Sequence, residues 1–139
     1  MRIVIVKLSS LGDLFHALPA VHALKTGLGA EVDWVTQSEY ADLVRCFTDV
    51  SDVIAFSRRS WMTGFKEAGR ALRARRYDLA IDLQGLLKSA LVMRLARAPR
   101  RIGPSFHREG SRWFYTEVAG RPDKQRHAVE EMMDVVRYL

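Results

Sequence analysis

The segment RIVIVKLSSLGDLFHALPAV, residues 2–21, carries the pattern that decides the fold. Its opening, residues 2–6, is a short β-branched run bounded by polar residues, which predicts a buried strand. From Leu14 to Leu24 the apolar residues recur three or four positions apart, which predicts a helix that ends at the glycines that follow. Pro19 lies too deep in this pattern for a first-turn proline, so we expect it to kink or tighten the helix.

Strand patterns alternate with helical patterns along the rest of the chain. Further strands are predicted at residues 31–36, 52–56, 78–83 and 100–103. Further helices are predicted at residues 38–47, 60–75, 86–97 and 128–139. Residues 104–126 have no regular pattern and predict a long loop, of the kind that is often functional. The alternation predicts an α/β fold: a doubly wound, Rossmann-like, mostly parallel sheet with helices on both faces.

The length and composition fit one domain. The chain has 139 residues, 48% of them hydrophobic, which is enough for one ordinary core. No apolar run approaches the roughly 18 residues that cross a bilayer, and the amino terminus turns polar too soon for a signal peptide, so we expect a cytoplasmic protein. The single cysteine, Cys46, excludes an intrachain disulfide, argues against a cysteine-based metal site and is expected to be a buried structural thiol.

The charge points to anionic partners. The net charge is +6 and the pI is about 9.9, so the surface attracts phosphates, nucleic acid or an anionic membrane face. Seven basic residues stand against one acid in residues 58–76, and six against one in residues 94–112. The helix predicted in the first segment has Trp61 and Phe65 on one face and cations around the other. This helix suits either an anionic membrane surface or a crossover helix with a solvated outer face.

The ends of the predicted strands indicate where a ligand would bind. Open parallel sheets bind ligands outside the carboxyl ends of their strands, where helix N-termini offer free amides and positive dipole ends. Polar or charged residues stand at four of the five predicted strand ends: Lys7, Ser9, Ser10, Gly12 and Asp13; Arg58 and Arg59; Asp82, Gln84, Gly85 and Lys88; Gly103, His107 and Arg108. Cations outnumber anions among them, so the rim predicts a polyanionic ligand.

Several familiar nucleotide and metal sites are excluded by the same strand ends. The first loop has one glycine where a dinucleotide fingerprint needs three, and no acid follows the second strand to hold a ribose hydroxyl. The P-loop pattern is missing. Lys7 and Arg58 stand where a phosphorylation-dependent receiver domain needs acids. No cluster of histidines and acids has the spacing of metal ligands.

Two carboxylates need an explanation. Asp13 lies between a glycine and a helical pattern, and its spacing alone favours a helix cap over a catalyst, because aspartate is a preferred residue at helix starts. Asp82 lies in an apolar strand, and we expect it to be a buried polar anchor for a neighbouring loop.

Four segments together resemble a known family: VKLSSLGDLFHALPAV, DLAIDLQGLLKSAL, RRIGPSFHREGSRWFY and KQRHAVE. They are similar to the amino-terminal half of the lipopolysaccharide heptosyltransferases of glycosyltransferase family 9. The similarity runs in order over nearly the whole chain, and the opening motif is more like the type I than the type II members.

The resemblance implies a two-domain GT-B enzyme that transfers heptose from ADP-heptose to the Kdo of the lipid A-Kdo precursor, with inversion and with neither metal nor cofactor. It implies that residues 1–139 are the acceptor-binding domain and that a carboxyl-terminal domain binds ADP-heptose. The fragment without that domain is expected to be inactive. The base would be Asp13, and the acceptor-binding residues would be Lys7, Ser9, Ser10, Gly12, Arg58, Arg59, Gln84, Gly85, Lys88 and Arg108.

The resemblance also implies partners: the Kdo-lipid A acceptor, ADP-heptose and the cytoplasmic surface of the inner membrane, with peripheral attachment. Two other functions stay open from the residues alone. One is a stand-alone Rossmann module that binds an anion or a nucleotide without catalysis. The other is a basic nucleic-acid-binding domain, which ranks last because the chain has no recognised nucleic-acid motif.

Overall fold

The computed structural model describes residues 1–57, 59–120 and 128–139, and within them a six-stranded sheet has the order β3-β2-β1-β4-β5-β6. All five strand pairings are parallel. The strands are β1 Arg2–Val6, β2 Glu31–Gln37, β3 Asp52–Phe56, β4 Leu79–Asp82, β5 Arg100–Pro104 and β6 Glu117–Ala119. The helices are α1 Leu11–His16, α2 Leu18–Leu28, α3 Ala41–Arg45, α4 Trp61–Arg73, α5 Leu87–Arg94 and α6 Ala128–Tyr138. The predicted fold class is confirmed.

The central strand β1 shows why the sheet is covered on both faces. Ile3 and Ile5 point into one apolar cluster, which includes side chains of α1, α2 and α6. Val4 and Val6 point into the other cluster, with side chains of α4 and α5. All four side chains are fully buried, because successive residues of a strand face opposite sides and both sides carry helices. The strand therefore appears in the sequence as one continuous apolar run.

Pro19 does not kink a long helix, so that expectation was wrong. The segment forms two helices that meet at Ala17, and Pro19 lies in the first turn of α2. A proline is tolerated there because the first amides of a helix have no intrahelical partner. The predicted glycine end holds: Gly29 caps α2 with φ +60°.

The predicted loop at residues 104–126 contains regular structure that the sequence analysis missed. A 3-10 turn spans Ser111–Phe114, and β6 pairs with β5 from Ile102↔Glu117 to Pro104↔Ala119. Three residues are too few to show the period of a strand, and β6 exists because β5 offers it a free edge.

Cys46 is exposed, which contradicts the expected buried thiol. It follows the short helix α3 at its carboxyl end, and its thiol donates to the Asp42 carbonyl at 3.4 Å.

An ion cluster around a buried aspartate lies at the amino edge of the sheet. The fully buried Asp33 of β2 accepts from Arg2 Nε at 3.1 Å, Arg75 Nη1 at 2.9 Å and the Tyr77 hydroxyl at 2.6 Å. Arg75 also binds Asp52. Arg75, which belongs to the basic segment 58–76, therefore stabilises the fold. It lies at the edge of the sheet opposite the predicted ligand site.

Candidate functional site

A cavity of about 320 Å³ opens at the carboxyl edge of the sheet. It brings together four of the predicted site residues, Lys7, Asp13, Gln84 and Arg108. Its other lining residues, which the sequence analysis did not single out for the site, are Leu86, Phe106, Glu131 and Met132. Three strand ends and α6 thus converge on one space, as the parallel topology requires.

Asp13 is the third residue of α1, and Ser10 is the N-cap. Asp13 Oδ2 accepts from the Ser10 amide at 3.3 Å and from the Ser10 hydroxyl at 2.9 Å. Its other oxygen, Oδ1, lies 3.8 Å from His16 Nδ1. The carboxylate thus supports the start of the helix with one oxygen while its side chain stays about half exposed beside the cavity.

The charge state of Asp13 follows from these neighbours. Partial burial raises the pKa of the Asp13 carboxyl, but the two hydrogen bonds from Ser10 and the charges of Lys7 and His16 outweigh this effect. The resulting pKa lies below the ordinary value of aspartate, so the carboxylate is ionised at neutral pH.

Lys7 is a buried cation at the base of the cavity, with 4% of its surface exposed. Its ammonium donates to the Leu83 carbonyl at 3.3 Å. Burial lowers the pKa of Lys7, and the carboxylates of Asp13 and Asp82 act in the opposite direction. Lys7 therefore lies in the electrostatic field of an accessible carboxylate and a buried one.

Asp82 is the buried anchor that its sequence context predicted. Its Oδ1 accepts from the amides of Gln84 and Gly85 at 2.9 and 3.1 Å. Its Oδ2 accepts from the Ser89 hydroxyl at 3.0 Å and the Tyr115 hydroxyl at 2.5 Å. Complete burial raises the pKa of Asp82 despite these four hydrogen bonds.

The turn that Asp82 holds needs a glycine. Gly85 has φ +76°, in the left-handed region, and a Cβ there would lie 3.2 Å from side-chain atoms of Phe106 and Pro104. Its carbonyl accepts from the Arg108 amide at 2.7 Å, so the same turn holds the segment that carries Arg108.

The remaining predicted residues that the structure describes lie on or near this edge. The Ser9 amide donates to Gln84 Oε1 at 3.4 Å, and Gly12 has open space where a Cβ would project. Lys88 does not line the cavity; its ammonium lies 4.9 and 5.0 Å from the ring centroids of Phe56 and Trp61. Arg59 is likewise not a lining residue, and Arg58 lies outside the described residues.

No local motif distinguishes Glu131, which α6 brings to the cavity. It follows Glu130 in the first turn of a helix whose acidic start favours the helix dipole. Only the packing of α6 beside α1 and α2 places Glu131 next to the cations of the strand ends, so sequence alone offered no signal.

Within residues 1–57, 59–120 and 128–139, no group of three or more histidine, cysteine, aspartate and glutamate side chains is arranged to hold a metal ion. Among the same residues, none of the helices has the length and apolar character needed to cross a bilayer.

Comparison with known proteins gives consistent results. The family described as "Glycosyltransferase family 9 (heptosyltransferase)" matches residues 66–139. The chain is 34% identical to lipopolysaccharide heptosyltransferase 1 of Escherichia coli K12 over 147 residues, covering 97% of this chain and 46% of that protein. The chain therefore spans about half the length of the curated relatives it matches.

Solved structures show the same relationship. The structure of E. coli heptosyltransferase WaaC with ADP has a TM-score of 0.86 and 36% identity, covering 99% of this chain and 46% of that one. The structure of E. coli ADP-heptose lps heptosyltransferase II has a TM-score of 0.79 and 26% identity, with 96% and 39% covered.

Proposed function

Because the chain belongs to glycosyltransferase family 9, we propose that it is the acceptor-binding part of a heptosyltransferase. The whole enzyme transfers heptose from ADP-heptose, with inversion, to the Kdo of the lipid A-Kdo precursor in the synthesis of the lipopolysaccharide core. One observation carries the proposal: the ionised Asp13 carboxylate lies beside a cavity that it shares with the cations Lys7 and Arg108.

Asp13 acts as the general base in this proposal. Ser10 holds Oδ2, which leaves Oδ1 to take the proton of the acceptor hydroxyl. An ionised aspartate is a weak base toward a free hydroxyl, but it suffices as the attacking oxygen loses electron density in the transition state. A positioned base of this kind contributes about 10² to 10⁴ in rate. Inversion requires the base on the face of the heptose opposite the departing ADP.

The cations bind the acceptor. Kdo carries a carboxylate and lipid A carries phosphates, and the planar guanidinium of Arg108 matches both groups. Lys7 adds a buried charge at the base of the cavity. The acceptor contacts are assigned, as a proposal, to Lys7, Ser9, Ser10, Gly12, Arg58, Arg59, Gln84, Gly85, Lys88 and Arg108.

The donor site is proposed to lie mainly in a separate domain, as in two-domain glycosyltransferases. The proposed transfer uses ADP-heptose as substrate and requires no cofactor, because a base, an electrophilic sugar carbon and a good leaving group complete the reaction. Residues 1–139 by themselves are expected to bind the acceptor and to transfer nothing.

The proposed location is the cytoplasmic surface of the inner membrane. Near the acceptor edge, Trp61 and Met62 at the start of α4 are 59% and 83% exposed, and Trp113 is 90% exposed. Exposed tryptophans beside cations are typical of surfaces that bind anionic lipid. Liposomes with anionic lipid should pellet the chain, and Trp113→Ser should weaken this binding; equal pelleting of both would contradict the assigned surface.

The function is tested in a polypeptide of the relatives' length that contains this chain. Asp13→Asn keeps an acceptor for the Ser10 hydrogen bonds but removes the base, so heptose transfer to Kdo-lipid A should fall by about 10² to 10⁴. Asp42→Asn, at an exposed aspartate of α3, is the control and should transfer normally. Transfer by Asp13→Asn within tenfold of the unmodified protein would overturn the assignment of the base.

The stand-alone nucleotide module is tested by titration of the 139-residue chain. Micromolar binding of ADP without any further domain would favour that function over the transferase. Binding of Kdo-lipid A with no comparable binding of ADP supports the acceptor domain.

A further inference from the structure

Tyr115 and Asp82 form a buried pair beneath the candidate site. The Tyr115 hydroxyl donates to Asp82 Oδ2 at 2.5 Å, and the two residues are 5% and 0% exposed. The ring reaches Asp82 by crossing β5 at Gly103, where any Cβ would overlap it. Tyr115 can therefore reach Asp82 only because residue 103 is a glycine and has no side chain.

Asp82 divides its two oxygens between different tasks. Oδ2 is held by the hydroxyls of Tyr115 and Ser89, and Oδ1 holds the amides of Gln84 and Gly85. The orientation of the carboxylate therefore sets the turn after β4.

This turn contacts both sides of the cavity. On one side, Gln84 Oε1 accepts from the Ser9 amide at 3.4 Å, and the next residue, Ser10, holds Asp13. On the other side, the Gly85 carbonyl accepts from the Arg108 amide at 2.7 Å. Hydrogen bonds, linked through the covalent chain of Gln84, Gly85 and Ser9–Ser10, thus connect Tyr115 to both Asp13 and Arg108.

We propose that Tyr115 and Asp82 are positioning residues for the transfer reaction: the pair sets the Gln84–Gly85 turn and, through it, the relative placement of Asp13 and Arg108. This role rests on the proposed function, because it matters only if Asp13 removes a proton from a ligand that Arg108 binds. Small displacements of a base relative to its substrate are costly, since catalysis requires a near-attack geometry.

The chain contains a matched control for a purely structural role. Tyr77 is 4% exposed, and its hydroxyl donates to the fully buried Asp33 at 2.6 Å. This pair repeats the tyrosine-to-aspartate hydrogen bond of Tyr115 and Asp82, with Arg2 and Arg75 also bound to the aspartate, and it lies at the amino edge of the sheet. If both pairs only stabilise the fold, Tyr115→Phe and Tyr77→Phe should have the same consequences.

The first experiment follows the Asp13 carboxyl carbon by NMR as a function of pH in the 139-residue chain. Tyr115→Phe should move the titration midpoint to higher pH, because the Ser10 hydrogen bonds that favour the ionised form loosen with the turn. Tyr77→Phe should leave the midpoint unchanged. Ser89→Ala removes another donor to the same Asp82 oxygen and replaces Tyr115→Phe if that variant does not fold. If Tyr115→Phe, or Ser89→Ala in its place, folds and leaves the titration midpoint of Asp13 unchanged, the proposal is overturned.

The second experiment measures heptose transfer in a polypeptide of the relatives' length. Tyr115→Phe should lower kcat by about tenfold to hundredfold with KM for ADP-heptose unchanged, and Tyr77→Phe should retain kcat. Equal kcat for the two variants overturns the positioning role. If the unmodified protein transfers no heptose, the proposed function fails, and the titration of Asp13 still decides whether Tyr115 sets the geometry of the edge.

Discussion

The Ser10 hydroxyl donates to Asp13 Oδ2 at 2.9 Å, and the Ser10 amide donates to the same oxygen at 3.3 Å. Asp13 is thus not the helix cap that its spacing favoured: Ser10 is the N-cap, and Asp13 is its capping-box partner in the first turn. This position is compatible with the proposed catalytic role, because only one of its oxygens is used at the helix start. The two hydrogen bonds from Ser10 also orient the carboxylate, which a base requires.

Removing the Ser10 hydroxyl should alter the pH dependence of transfer. Its hydrogen bond lowers the pKa of Asp13, so Ser10→Ala raises that pKa. A base works only when deprotonated, and the acid limb of kcat/KM should therefore move to higher pH. Ser60→Ala, which removes the N-cap hydroxyl of α4, should leave the limb in place. An acid limb at the same pH in Ser10→Ala would contradict the assignment of Asp13 as the titrating base.

Removing the Arg108 guanidinium should weaken acceptor binding. Loss of a charged hydrogen bond costs about 1.5–3 kcal/mol, so Arg108→Ala should raise KM for Kdo-lipid A by about 10- to 100-fold while KM for ADP-heptose stays constant. Arg76→Ala, at the opposite edge of the sheet, is the control. Steady-state kinetics with each substrate varied in turn provide the measurement, and a rise in both KM values would argue against a specific acceptor contact.

The amino-edge cluster should stabilise the fold without touching the reaction. Asp33→Ala leaves Arg2, Arg75 and the Tyr77 hydroxyl without their shared acceptor and should lower the free energy of unfolding by about 3–5 kcal/mol. Asp42→Ala, at an exposed ion pair, should leave it nearly unchanged. Urea denaturation measures both, and similar midpoints for the two variants would show that the buried cluster contributes little.

Two glycines should respond in opposite ways to alanine. A Cβ at Gly103 overlaps the Tyr115 ring, so Gly103→Ala should lower the free energy of unfolding by about 1–3 kcal/mol. Gly12 has open space around it in the first turn of α1, and Gly12→Ala should stabilise the chain by up to about 1 kcal/mol while the new methyl group weakens acceptor binding. Denaturation and acceptor titration of both variants check this, and unaltered acceptor affinity in Gly12→Ala would remove Gly12 from the proposed site.

Most of the fold could be predicted because its signals are local. The apolar run of β1 and the helical spacing after Leu14 are local patterns that predict a strand and a helical segment, and the repeated alternation of such patterns permits few topologies. The failures have equally specific causes. The role of Pro19 could be predicted only if one knew that one helix ends and another begins at Ala17. The strand β6 is too short to show the two-residue period of a strand.

The candidate site, too, was predicted in part from local sequence and decided in part by tertiary packing. The sequence by itself determined that Lys7, Asp13, Gln84 and Arg108 stand at strand ends, and parallel pairing places such ends at one edge. Only the tertiary structure decided that Lys88 packs on Phe56 and Trp61, that Glu131 joins the cavity and that Tyr115 reaches Asp82 across Gly103. These contacts join residues far apart in the chain, and their geometry depends on how helices and loops pack over the sheet, which no local periodicity encodes.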